Sequence, residues 1–385
     1  MLDLYSTLML PTRFLLPLTF ALTTLPVYSD STSPAKPIAP RVLVIGHRGA
    51  SAWRPEHTLA SYGRAIKDGA DFIEPDLVMT KDGVLIARHE NEISGTTDVV
   101  RHPEFATRKT NKTIDGQPVS GWFTEDFTLA ELKTLRARER LPEIRAANAT
   151  FDGQFEVPTF DEIIDFATAQ AKAHACVIGI YPEIKHSTYF RGIGLPMEDA
   201  VLAAIRQHAY TAGTAPLFIQ SFETENLKYL RKQLGTSLPN IKLIQLLGEA
   251  AEQPYDLVAA KHPRSYVEMM RPPGLQEIAR YADAIGPNKL SVIPRNSDGS
   301  LGQPTPLVAD AHAQNLLVHP YTFRPENVFL PSDLHAAGGP AARSEAGSIA
   351  EIRAYLAAGI DGFFTDDPAL GRAAVANAEP RPAAR

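Results

Sequence analysis

Eight short, almost wholly apolar runs recur along the chain, with amphipathic stretches between most of them. No other feature of the sequence restricts the fold as much. The runs are "RVLVIGH" (41–47), "DFIEPDLVM" (71–79), "VLIARHE" (84–90), "VIGIYPEIK" (177–185), "LFIQSFE" (217–223), "IKLIQLL" (241–247), "NLLVHPYTF" (315–323) and "GIDGFFTD" (359–366). Segments of this kind pack as parallel strands buried on both faces. Helical periodicity falls at 58–68, 159–173, 198–210, 223–234, 274–283, 305–314 and 345–358, and Thr159 with Glu162 makes a capping-box pattern. Strands and helices alternating to a count of eight predict an α/β fold of the TIM (β/α)8 barrel type. The second and third runs break the alternation, because only "TKDG" joins them and its Asp82-Gly83 is a tight-turn signal.

Residues 91–157 fit neither pattern. They are polar, with one clear helix at about 128–138, and predict an insertion after the third strand on the C-terminal face of the barrel. Loops on that face build barrel active sites. With 44% hydrophobic and 21% charged residues the chain can fill a large core, and a net charge of -6 leaves no basic excess for nucleic acid. Cys176 is the only cysteine, which excludes an intramolecular disulfide and a cysteine-based zinc cluster. Its setting, "HACVIGIY", predicts a small buried hydrophobe.

The first 35 residues read as a signal peptide and exported N-terminus. "RFLLPLTFALTTLPVYSDSTSPAKP" has a basic residue, an apolar run and then small polar residues, too short and too proline-interrupted to span a membrane. A start at Met9 gives a cleaner leader than Met1, and cleavage is expected between about Ser29 and Ala35. The expectation is a periplasmic or secreted protein without stable membrane insertion. Its body would cover 41–371, and 372–385 would form a disordered tail. The sequence does not address oligomeric state.

The chemistry lies in how the strand-like runs end. His47 and Arg48 close the first, Glu74 and Asp76 the second, and His89 the third. Glu183 and Lys185 close the fourth, Gln220 and Phe222 the fifth, and Tyr321 and Phe323 the seventh. Alternate strand residues share a face, so Glu74 and Asp76 point the same way about 6–7 Å apart along the chain. Carboxylates that close repel unless a cation sits between them, and Glu183 offers a third. Three acids without a thiolate favour a divalent hard cation, Ca²⁺ ahead of Mg²⁺, over zinc. His47 and His89 are groups that exchange protons near neutral pH, while Arg48 and Lys185 suit an anion such as a phosphate. Pro75 and Pro182 mark where strand pairing stops and the rim begins.

Taken in order, "GHRGASAWRPEHT", "GADFIEPDLVMTKDGVLIARHE", "YPEIK", "QSF", "HPYTFR" and "GIDGFFTDDP" resemble the glycerophosphodiester phosphodiesterase family, in particular its exported bacterial branch. The resemblance runs from about residue 41 to 371. It implies metal carboxylates at Glu74, Asp76 and Glu183, a general acid/base pair in His47 and His89, and phosphate contacts at Arg48 and Lys185. It also implies a supporting acid at Glu56 and glycerol packing by Phe222, Tyr321 and Phe323, with Gln220 on the substrate side. Glu90 departs from the aspartate usual after the second histidine. The implied reaction is metal-dependent hydrolysis of a small glycerophosphodiester, such as glycerophosphocholine, to sn-glycerol 3-phosphate and an alcohol. Phospholipase D-like or lyase activity on lysophospholipid or sphingolipid diesters is the alternative.

Overall fold

The computed structural model describes residues 41–376 apart from Pro263. The expected leader therefore lies outside the described residues. In chain order the strands are β1 (Leu43–Gly46), β2 (Phe72–Ile73), β3 (Asp76–Met79), β4 (Leu85–Ala87), β5 (Thr110–Ile114) and β6 (Gln117–Gly121). They continue with β7 (Gly179–Ile180), β8 (Glu183–Ile184), β9 (Leu217–Ser221), β10 (Ile241–Leu247), β11 (Ala284–Pro287), β12 (Leu317–Val318) and β13 (Gly362–Thr365).

Eight of these form one parallel sheet in the order β12-β11-β10-β9-β7-β2-β1-β13. Backbone hydrogen bonds from Asp361 N to Val318 O (2.9 Å), Phe364 N to Pro320 O (3.1 Å) and Phe323 N to Phe364 O (2.8 Å) bring its two ends together. The TIM-barrel architecture expected from the sequence is present, but one of its eight strands was misjudged. β4 runs antiparallel to β3, pairing Leu77 with Ala87, and is not a barrel strand. Its place in the count belongs to β11, four residues ending in Gly-Pro and too short to show a pattern. The insertion therefore follows a hairpin outside the barrel.

Prolines divide two of the strands, as the sequence indicated. β3 continues β2 beyond Pro75 and β8 continues β7 beyond Pro182. These rim segments pair with each other and with β9, aligning Asp76 with Glu183 and Glu183 with Gln220. Aligned neighbours in adjacent strands lie roughly 5 Å apart on one face, so registry alone draws the acids together.

A small cluster of Ile45, Phe72, Tyr181, Phe218, Ile244, Ala284 and Phe364 is separate from the larger core between strands and helices. Within it the Tyr181 and Phe218 rings stack at 5.0 Å, and Phe72 meets both edge-on. A Cβ on Gly179 would fall 2.2 Å from the Phe72 ring, so only glycine fits there. Helices Leu59–Lys67 and Phe160–His174 start at threonine caps, the second with the Thr159–Glu162 capping box formed.

Three further expectations need correction. The insertion is more ordered than its polarity implied: Phe105, Trp122 and Phe127 are buried in the main core, and its helix is only Leu129–Leu132. Cys176 is exposed, because the preceding helix ends at His174 and Ala175 turns left-handed (φ 49°) before the strand begins. The last helix runs Pro368–Ala376 with Ala374 buried, so an irregular tail from 372 is not observed. Residues 377–385 lie outside the described region.

Candidate active site

The site forms where the rim segments meet the loop after β1. That loop turns at once: Arg48 is left-handed (φ 58°), and Gly49 (φ 92°) has no room for a Cβ beside Ser61. The turn is held by Arg48 N donating to Glu74 Oε2 (3.0 Å) and by Ser61 Oγ donating to Arg48 O (3.0 Å). It places His47 and Arg48 over the barrel mouth, both buried.

Glu74, Asp76 and Glu183 each offer an oxygen within 4.8 Å of the others, and all three are buried. Glu74 accepts from Gln220 Nε2 (2.7 Å), Asp76 Oδ2 is 3.0 Å from His57 Nε2, and Glu183 pairs with Lys185 Nζ (2.9 Å). Asp76 Oδ1 is buried with no hydrogen-bond partner. Burial first, then the charges of Asp76 and Glu183, push the Glu74 carboxyl well above its ordinary range. Burial likewise raises Glu183 to about 7, against the pull of Lys185. Acids that resist ionising together, one with an unused oxygen, are a donor set that a divalent hard cation would fit.

The two histidines flank these acids. His47 Nδ1 lies 2.5 Å from Asp366 Oδ1, whose other oxygen accepts from Arg145 (2.6 Å) and Arg324 (3.1 Å). His89 Nδ1 is bonded to Glu90, and Arg140 donates to both Glu90 oxygens (3.1 and 2.7 Å). Each carboxylate accepts the Nδ1 proton and so leaves Nε2 as the free basic nitrogen. His89 Nε2 is 3.4 Å from Lys185 Nζ, and His47 Nε2 is 3.5 Å from Thr322 Oγ1. Burial and the nearby Arg48 charge lower His47 to about 4 despite Asp366, and burial with Arg48 and Lys185 holds His89 well below its usual value.

Both imidazoles, with Arg48, Glu74, Glu183, Gln220, Phe222 and Tyr321, line a pocket of about 130 Å³. Lys185 lines the larger cavity next to it. Phe323 and Glu56 both stand away from this pocket. Phe323 is wholly buried against Tyr355 and Phe363, its backbone N–H bonded to Phe364 O (2.8 Å), while Tyr321, Thr322 and Arg324 line the pocket. Glu56 is not among the pocket's lining residues; its carboxylate is taken up by Arg48 (3.0 Å) and by Arg140 (2.8 and 2.6 Å).

The chain that carries this site is similar to known proteins. Residues 47–370 match the model of the glycerophosphoryl diester phosphodiesterase family. The chain belongs to this family. It is 36% identical over 335 residues to glycerophosphodiester phosphodiesterase GDPD6 of Arabidopsis thaliana, covering 84% of this chain and 82% of that protein. It is 30% identical over 300 residues to a glycerophosphodiester phosphodiesterase of Haemophilus influenzae, covering 73% and 79%. Two solved structures share the fold: one from Silicibacter pomeroyi (TM-score 0.59, 21% identity, 88% of this chain and 94% of that one), and an Oleispira antarctica phosphodiesterase in complex with its product sn-glycerol-3-phosphate (TM-score 0.54, 19% identity, 88% and 98%).

Sequence reasoning missed several residues around this family's site. Asp366 directly follows β13 in the quoted "GIDGFFTDDP", so the strand-end rule that found the others applied to it equally. His57, between Asp76 and the Tyr62 hydroxyl (3.0 Å), stood in plain view in "PEHT". Arg140 and Arg145 come from the insertion and carried no signal at all.

Proposed function

We propose that the chain hydrolyses glycerophosphodiesters to sn-glycerol 3-phosphate and an alcohol, with a divalent cation held by Glu74, Asp76 and Glu183. The observation that carries this is the pairing of two carboxylate-backed imidazoles with three converging acids around a pocket of about 130 Å³. Arg48 and Lys185 bind the anionic phosphoryl group. One Nε2 takes the proton of the attacking hydroxyl, and the other returns a proton to the departing alkoxide as its O–P bond breaks. Asp366 and Glu90 fix the tautomers and offset the positive charge of each imidazolium. The cation, when bound, adds Lewis-acid charge on the phosphoryl oxygens. Ca²⁺ suits an all-oxygen set of acids best, with Mg²⁺ second.

The chain fits the exported bacterial branch of the family. Its leader-like N-terminus supports a periplasmic or secreted location, and among the described residues no helix is long and apolar enough to cross a membrane. The test is release of glycerol 3-phosphate from glycerophosphocholine by the purified protein. EDTA should abolish it, and Ca²⁺ or Mg²⁺ should restore it. Turnover that survives chelation would remove the metal from the reading. Hydrolysis of lysophospholipid or sphingomyelin in preference to the soluble diester would replace the substrate class.

A further inference from the structure

The pocket that holds both histidines is small, and it opens beside a second cavity of about 590 Å³ that shares Glu183 and Phe222 with it. A glycerophosphodiester has two arms on phosphorus. If glycerol 3-phosphate fills the smaller space, the alcohol arm must extend beyond Lys185 and Phe222 into the larger one. What lines that cavity then decides which alcohols are accepted.

One side is aromatic. Phe222 stands edge-to-face against Tyr321 (5.9 Å, 85°) on the catalytic side and Tyr266 (6.3 Å, 72°) on the other, and Tyr255 lines the same cavity. The Tyr266 hydroxyl donates to Phe222 O (3.3 Å), which fixes the ring. The other side is acidic. Asp115, Glu223 and Glu252 line it, with Asp115 bonded to His186 (2.6 Å). Several other buried carboxylates carry a cationic partner: Arg140 on Glu56, Arg145 on Glu326 and Lys289 on Glu351. Among the described residues no lysine or arginine forms an ion pair with Glu223 or Glu252. Glu223 is bonded only by the Thr188 backbone and hydroxyl groups, and burial with the nearby Asp256 and Asp115 charges raises it to about 7 against those bonds. A cation arriving there would favour its ionised form.

Resting on the proposed hydrolysis, we infer that this second cavity is a head-group subsite selecting alcohols that carry an ammonium group, primary or quaternary. Arg48 and Lys185 meet the phosphate, while the aromatic rings and Glu223 with Glu252 meet a positive charge a few atoms further along. Aromatic faces bind ammonium groups through the ring quadrupole, and the effect grows when water is excluded. A neutral polyol arm would gain neither attraction and would leave the acids uncompensated.

The experiment compares kcat/KM for glycerophosphocholine and glycerophosphoethanolamine with that for glycerophosphoglycerol and glycerophosphoinositol. The cationic pair should be favoured by roughly tenfold, about the worth of one desolvated cation–aromatic contact. Glu252→Lys, at an exposed side chain where folding tolerates the change, should lower kcat/KM for the choline ester several-fold more than for the glycerol ester. Tyr255→Leu should shift the same ratio in the same direction. Equal efficiency across head groups, or variants that lower all four substrates alike, would overturn the subsite while leaving the hydrolytic reading intact. If none of the four is cleaved, both readings fail together.

Discussion

The two histidines of the site are held in unequal ways. His47 follows a barrel strand and leans on Asp366, whose side chain is 2% exposed and is gripped by Arg145 and Arg324 as well. His89 arrives at the end of an antiparallel return and leans on Glu90, 36% exposed and gripped by Arg140. Arginines of the insertion brace both supports, but the one behind His47 is sealed in the interior and the one behind His89 lies nearer solvent. Buried charges that lose a partner cost far more than exposed ones, which water can rescue. The two halves of the proposed acid/base pair should therefore fail differently when disturbed.

The largest effect comes from removing either ring. His47→Ala and His89→Ala should each lower kcat on glycerophosphocholine by ~10² to 10⁴. Normal turnover in one variant would end the pairing. The contrast itself is probed one step back. Asp366→Asn should cut kcat by ~10² because the wrong tautomer becomes available, whereas Glu90→Gln, closer to solvent, should cost only ~10-fold. A ratio near one would show that burial does not distinguish the two supports.

Stability should divide along the same line. Arg145→Gln strands Glu326 and Asp366 in the interior and should cost about 3–5 kcal/mol in urea unfolding. Arg140→Gln leaves buried Glu56 its Arg48 partner and Glu90 open to water, and should cost about 1–2 kcal/mol. Comparable losses would mean that burial does not separate the two arginine clusters.

The smallest effect is in acid. Burial opposes ionisation of Asp366, but Arg145, Arg324 and His47 outweigh it and hold the carboxyl well below its usual range. Between its folded and unfolded pKa values the unfolded chain binds more protons. Stability from this group is therefore present above about pH 4 and lost as pH falls further. Thermal melts of Asp366→Asn should show a flatter acid limb than the wild type. Superimposable limbs would locate the acid sensitivity in other groups.

The barrel and its rim acids were legible because strand periodicity and chain order carry them: six of the apolar runs end in the residues that now meet. Pro75 and Pro182 were informative for a related reason, since a residue without an N–H marks where a ladder breaks. The antiparallel return of β4 was not legible, because an apolar run looks alike in either direction. Nor was β11, whose four residues are shorter than any period can reveal. Phe323 was misplaced because strand alternation does not hold beyond β12, which ends at Val318, and Cys176 by reading a helix end as the start of a strand. Arg140 and Arg145 were invisible for a deeper reason, because their partners lie 50 to 221 positions away and no local pattern records such pairing.

Asp76, Glu183 and Gln220 stand side by side because three strands share one hydrogen-bonding alignment, not because a loop happens to curl there. Slipping any of those strands by a single position would turn its side chain to the opposite face. The convergence of the acids is consequently set by the scaffold, whereas the arginines that brace Glu90 and Asp366 arrive from residues 91–157. Rebuilding that segment would disturb what stands behind the imidazoles and leave the alignment of the acids in place.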